Sequence, residues 1–131
     1  MTAERINPPG LARPSGFSHA VSATGRMVFL AGQLGLDRDA KLAEGGVVPQ
    51  FEQALGNLLA ALTAAGGQPS DLVSLTIYLT DLADFQTVND AYGKRFSRSP
   101  QPARSTVQVA ALPRGARVEV DAIAVVPQLP G

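Results

Sequence analysis

A single apolar stripe constrains this chain more than any other feature. Phe51, Ala54, Leu55, Leu58, Leu59, Leu62 and Ala65 recur at i, i+3, i+4, i+7, i+8, i+11 and i+14. That spacing predicts one long amphipathic helix. Pro49 suits its first turn, and Gly66-Gly67 can take the left-handed conformation that ends it. A face this apolar must bury against another apolar surface, and the obvious partner is a sheet.

Strand signals on both sides of the helix supply that sheet. Val73, Leu75, Ile77 and Leu79 alternate with Ser74, Thr76, Tyr78 and Thr80, so the stretch has one apolar side. Thr80 or Asp81 then offers an N-cap oxygen for a second helix, along which Leu82, Phe85, Val88, Tyr92 and Phe96 repeat at helical spacing. The aromatic residues of that stripe read as core. Pro102 to Val109 and Arg117 to Val125 also alternate, with turn residues at Leu112-Pro113-Arg114-Gly115 between them. Read as a folded-back pair, they place Val107, Val109, Val118, Val120, Ala122 and Ala124 on one face. Arg104, Thr106, Gln108, Glu119 and Asp121 then fall on the other.

Earlier in the chain, Ile6 to Gly16 reads as an extended lead-in. His19 to Ser22 and Arg26 to Leu30 read as a hairpin about Ala23-Thr24-Gly25. Gly32, inside a strand pattern, predicts a bulge or a close approach by another group. Gly45-Gly46 introduces a crossing through Val47-Val48. The order becomes β-hairpin, crossing strand, α, β, α, β, β, a mixed α+β sheet with both helices on one face. The opposite face mixes Ser74, Thr76 and Tyr78 with Ile123 and Val125, a combination suited to partial cover by another subunit.

The polar face has two readings that spacing alone leaves open. It is a solvated sheet surface, as is common in antiparallel sheets, or a ligand pocket. In the pocket reading Arg104 grips an anion and Glu119 handles protons or water.

Composition narrows the chemistry. The 131 residues read as one domain, 1–131, and the 11 basic and 11 acidic side chains balance. No electrostatic footprint for nucleic acid or an acidic membrane follows. Absence of cysteine removes disulfides and thiolate chemistry, and one histidine excludes a histidine-rich metal centre. No apolar run spans a bilayer and Met1 to Pro14 lacks a signal-peptide core, so the expected setting is cytoplasmic.

Several pieces in fixed order resemble the Rid family (reactive intermediate deaminase, the YjgF-like proteins also labelled endoribonuclease L-PSP). They are Gly16-Phe17-Ser18-His19-Ala20-Val21, Ala31-Gly32-Gln33, Asn57-Leu58 with Ala64-Ala65-Gly66, Phe85-x-x-Val88-Asn89-x-x-Tyr92, Pro102-Ala103-Arg104-Ser105 and Val118 to Ala124. The resemblance implies a chorismate-mutase-like (YjgF-type) fold, a homotrimer and small-molecule clefts between subunits. It implies hydrolysis of enamines and imines such as 2-aminoacrylate to 2-oxo acids and ammonia, with no cofactor or metal. Arg104 matches the family's carboxylate-binding arginine, a role suited to a planar fork of donors. Glu119 matches its water-orienting glutamate, and the backbone carbonyl of Thr106 the water's second partner. Phe17, Ala31, Gly32 and Asn89 complete the implied substrate contacts.

Four residues depart from the family pattern. Phe17 stands where tyrosine is common, Ala31 where serine is common, His19 where glutamine is usual and Thr106 where many relatives carry cysteine. Loss of two hydroxyls reshapes ligand binding. The alternative function is therefore a non-catalytic, metabolite-binding trimer. A third, RNA cleavage, is disfavoured by the balanced charge. Arg104 and Glu119 also have a bland reading as an interface ion pair, Asn89 as a helix-packing or turn-stabilising hydrogen bond, and His19 as a structural strand residue.

Overall fold

The computed structural model describes residues 3–97 and 99–128. Its elements are β1 (Ala3–Ile6), β2 (Ala20–Ala23), β3 (Arg26–Leu34), α1 (Val47–Ala64), β4 (Leu72–Leu79), α2 (Phe85–Arg95), β5 (Ala103–Gln108) and β6 (Val118–Val126). β1 and β2 form a small antiparallel ribbon, and the main sheet has the order β3-β6-β4-β5. β4 and β5 run parallel, joined through α2, whereas β6 is antiparallel to both β3 and β4.

The α1 stripe is buried as its period requires. Phe51, Ala54, Leu55, Leu58 and Leu62 meet Leu75, Ile77 and Leu79 of β4 and Val118, Val120, Ala122 and Ala124 of β6 in one core. Val88, Tyr92 and Phe96 extend that core along α2. Both helices thus cover one face of a mixed sheet, as the spacing predicts. Gly66, at φ +88, ends α1 where expected. The Asp81 carboxylate accepts from the Ala83 amide and caps a short 3-10 turn, Leu82–Asp84, that leads into α2.

Three local expectations are overturned. β2 and β3 do not pair as a hairpin. β2 pairs with β1, a strand the lead-in reading omitted at Ala3–Ile6, and β3 with β6. Thr24-Gly25 passes the chain between two sheets, a path that turn chemistry alone does not distinguish from a hairpin. Val47 and Val48 do not form a crossing strand but open α1, so Pro49 is its third residue.

The third correction bears on the site. β5 and β6 are not neighbours, because β4 lies between them. Arg104, Thr106 and Gln108 align with Leu75, Ile77 and Leu79, which align in turn with Ala122, Val120 and Val118. Residues side by side in a sheet share a face. Arg104, Thr106 and Gln108 therefore lie on the helix side, and Glu119 and Asp121 on the helix-free side. Val107 moves the other way, onto the helix-free face, where it is exposed. The physical reason is the crossover. β4-α2-β5 sets β5 beside β4, and the chain then passes the end of β4 to add β6 on its other flank.

Candidate functional site

Arg104 leaves β5 at the sheet edge and reaches under α2. Its Nη2 donates to Asn89 Oδ1 at 2.7 Å, and its Cζ sits 4.6 Å from the centroid of the Tyr92 ring. Asn89 and Tyr92 are three residues apart on α2, hence on one helix face. Nη1 is buried and has no hydrogen-bond partner among the described residues. Gly16 closes over it at φ +76, and a Cβ there would lie 3.3 Å from Nη1 and 3.5 Å from Asn89 Oδ1. Only glycine satisfies both that conformation and that approach. Burial lowers the Arg104 pKa from the usual arginine value, and Tyr92 opposes the shift.

Tyr92 itself is fully buried, and burial pushes its phenol up to about 12, with Arg104 acting in the opposite direction. Its hydroxyl donates to Gln101 Oε1 at 3.0 Å. The Gln101 amide donates to the Phe96 carbonyl at 3.2 Å, and the Gln101 carbonyl accepts from Ser18 Oγ at 2.7 Å.

Ser18 runs parallel to the start of β5, its amide donating to the Pro102 carbonyl. This places Phe17 and His19 beside Arg104. Their rings meet edge to face, 5.2 Å between centroids and 83° between planes. A cleft of about 300 Å³ is lined by Phe17, Ser18, His19, Ser74, Ala103, Arg104 and Ser105. A broader groove of about 820 Å³ reaches Gly16, Asn89 and Tyr92 on the α2 side. His19 Nε2 lies 2.8 Å from the Ala12 carbonyl. A carbonyl only accepts, so Nε2 carries the proton. His19 thus pins the lead-in, as a structural residue would.

Thr106 adds a backbone group. The Val109 amide bonds to the Leu79 carbonyl of β4, so by strand alternation the carbonyls of Ser105 and Val107 point into the sheet. Those of Arg104 and Thr106 point off its open edge, towards the cleft side. Thr106 Oγ1 is buried without a partner among the described residues.

The other predicted residues lie elsewhere. Leu30 pairs with Ala122 and Gln33 with Val120, so β3 carries one extra residue across Ala31-Gly32. This is the bulge that Gly32 predicted. Glu119, on the helix-free face opposite Leu34 and Tyr78, packs its carboxylate Oε2 where a Gly32 side chain would be. Next to it, Tyr78 donates to Asp121 Oδ2 at 2.9 Å. That hydrogen bond is the main cause raising the Tyr78 pKa.

The structure therefore brings together Phe17, Asn89, Arg104 and the Thr106 edge in one group, and Ala31, Gly32 and Glu119 in another. It does not bring Arg104 to Glu119 within one protomer. β5 and β6 are two strand spacings apart, and Arg104 aligns with Leu75 while Glu119 aligns with Tyr78. Their Cα atoms are then about 14 Å apart, with side chains on opposite faces. No small carboxylate spans that distance. Among the described residues no cluster of three or more His, Cys, Asp or Glu is arranged to hold a metal, and no helix is long and apolar enough to cross a membrane.

Two participants escaped the sequence reading. Tyr92 reads as core from its stripe, yet it floors the guanidinium. Gln101 sits in an irregular segment where no period singles it out. The i, i+3 spacing of Asn89 and Tyr92 was the available signal.

Comparison with known proteins follows the same frame. The sequence profile described as endoribonuclease L-PSP matches residues 10–126. Protein DfrA of Myxococcus xanthus is 51% identical over 111 residues, covering 83% of this chain and 84% of that protein. A Bos taurus protein named 2-iminobutanoate/2-iminopropanoate deaminase is 48% identical over 101 residues, 76% of this chain and 73% of its own. A crystal structure from Yersinia pestis, of a protein of the conserved Rid family, superposes with a TM-score of 0.88 at 31% identity. It covers 96% of this chain and 100% of that one.

Proposed function

Because the chain belongs to the endoribonuclease L-PSP (Rid) family, we propose that it is an imine and enamine deaminase. It hydrolyses 2-imino acids of the 2-aminoacrylate type to 2-oxo acids and ammonia. Relatives named 2-iminobutanoate/2-iminopropanoate deaminase, at 48% identity in Bos taurus and 42% in Homo sapiens, support the reading.

One observation carries it. A buried, charged donor at Arg104 Nη1 faces no partner among the described residues, and an unmet buried donor costs roughly 1–3 kcal/mol. A substrate carboxylate supplies the missing acceptor, and the guanidinium fork meets it with two hydrogen bonds. Asn89 and Tyr92 hold the fork in place.

The chemistry then needs a water beside the C=N carbon. Glu119 takes a proton as the water attacks, and the Thr106 carbonyl accepts the water's other hydrogen. The new C–O bond gives a carbinolamine. Return of that proton to nitrogen and transfer of the hydroxyl proton after it expel ammonia as the C=O bond forms, leaving a 2-oxo acid. Every step is proton transfer, addition or elimination, so the reaction balances with water alone.

Arg104 and Glu119 of one protomer face different ways, so the site in this reading is shared. The Arg104 group of one protomer meets Ala31, Gly32 and Glu119 of the partner subunit. Exposed apolar side chains on the helix-free face, Met27, Phe29 and Val107, support a homotrimeric assembly across it. A cytoplasmic setting belongs to the same reading, since a cysteine-free chain suits a reducing compartment.

The test is turnover of imines generated in situ by an amino-acid oxidase, with semicarbazide trapping as readout. Arg104→Ala and Glu119→Gln should each abolish acceleration. Co-assembled from equal amounts of the two variants, trimers should regain about a quarter of wild-type activity, because that share of interfaces pairs an intact Arg104 with an intact Glu119. Full activity in Arg104→Ala sinks the reading, and mixtures that stay dead sink the shared site.

Phe17 and Ala31 favour a second reading, metabolite binding without turnover, since neither brings a hydroxyl to the substrate. Calorimetry with 2-oxo acids separates the two. If the missing hydroxyls limit turnover, Phe17→Tyr with Ala31→Ser should raise deamination.

A further inference from the structure

We infer that Tyr92 and Gln101 are positioning residues that fix the height and tilt of the Arg104 guanidinium, and with it the affinity for a carboxylate. The inference rests on the reading of Arg104 as carboxylate anchor, and adds residues outside the ligand's reach.

Arg104 stands on the free edge of the sheet, where a long side chain has many rotamers. Asn89 fixes only one nitrogen, at 2.7 Å. Gly16 closes over Nη1 from one side, and the Tyr92 ring lies 4.6 Å beneath Cζ. A ring face attracts a guanidinium and fixes its plane, which a hydrogen bond to one nitrogen leaves free to pivot. Tyr92 is immobile in turn. Its ring packs on Phe96 at 4.6 Å between centroids, and its hydroxyl is tied to Gln101.

Gln101 joins floor to rim. Its side chain accepts from Tyr92 and donates to the Phe96 carbonyl, which fixes the end of α2. Its main-chain carbonyl accepts from Ser18 Oγ, which sets the segment carrying Phe17. One residue therefore links the plane under the guanidinium to the wall facing it. A buried tyrosine hydroxyl needs a partner in any role; it is the second bond, from Ser18 to the same Gln101, that ties that partner to the wall.

The test uses the assembled protein, calorimetric titration with 2-oxobutanoate, imine kinetics and Tm. Tyr92→Leu should weaken 2-oxobutanoate binding about tenfold and raise KM by a similar factor, with kcat within about twofold. Tyr92→Phe keeps the ring and should stay within about threefold of wild type. Gln101→Ala should fall between them.

The deciding measurement is coupling. In an Arg104→Ala background, Tyr92→Leu should cost no further affinity. Equal losses in both backgrounds, or wild-type affinity in folded Tyr92→Leu, would overturn the inference. If the leucine variant does not fold, Tyr92→Met fills similar space without a ring face and carries the same expectation. A wild type that binds 2-oxobutanoate with this coupling but hydrolyses no imine keeps the inference and sinks the deaminase reading. Hydrolysis without coupling does the reverse. A wild type that takes neither ligand overturns both.

Discussion

A guanidinium withdrawn from water at Arg104 has two neighbours that replace part of its solvent. Asn89 accepts from one nitrogen and the Tyr92 face lies under the carbon, while Nη1, beneath Gly16, stays without a partner among the described residues. The same burial acts on Tyr92, whose pKa rises from 10.0 to about 12 with desolvation as the main cause. The unfolded chain then loses its phenol proton at lower pH than the folded one. Stability from this group is present below about pH 10 and lost as pH rises towards 12. The full loss is roughly 3 kcal/mol. Tyr92→Phe removes the titration together with the hydrogen bond to Gln101, at a cost of about 1 kcal/mol near neutrality. Urea midpoints measured across the alkaline range should show the two proteins converging and then crossing as pH rises, the wild type becoming the less stable. Parallel curves would mean that Tyr92 titrates as in the unfolded chain.

Elements act through their register. The extra residue at Ala31-Gly32 bends β3 and leaves the space into which Glu119 folds its carboxylate. A methyl at Gly32 would collide with the far end of that side chain rather than with backbone, so the carboxylate can swing aside cheaply. Gly32→Ala should therefore keep Tm close to wild type while lowering kcat by about ten- to a hundredfold, since a water held about 1 Å out of place is enough. Unchanged kcat would place Glu119 outside the chemistry. The bulge was legible in the sequence because a lone glycine inside a strand pattern has few other uses. α1 and the apolar side of β6 were legible too, because their periods are local. The facing of β5 was not. Whether Arg104 and Glu119 share a face depends on strand order and register, which follow from where the chain goes after α2, not from the alternation within either strand. The β2 to β3 link failed for the same reason. Turn residues at Gly25 report that the chain bends, not which strand it joins.

At the scale of the whole molecule, one side of the sheet is unaccounted for by a lone chain. α1 and α2 cover the face bearing Leu75, Ile77 and Val120. The other face bears Phe29 at 71% exposure and Met27 at 57%, beside Ile123 of β6 and the Tyr78–Asp121 hydrogen bond. Apolar groups this exposed on a sheet are what supports the proposed assembly across this face. In the proposed trimer the interface is head-to-tail, one patch meeting a different patch of the next copy, which accounts for the division of the proposed reactive groups between the two faces. The Arg104 group opens at the β5 edge and the Glu119 group on the helix-free face, so in that assembly one protomer would offer each to a different neighbour. Phe29→Asp adds a charge to that face midway along the edge strand β3, without touching the helix-side core. It should leave the far-ultraviolet circular dichroism intact, shift the sedimenting species to the monomer and abolish imine hydrolysis. Single-protomer chemistry predicts a different result, in which the monomer would keep wild-type turnover. A variant that stays assembled and active would show instead that Phe29 lies outside the contact.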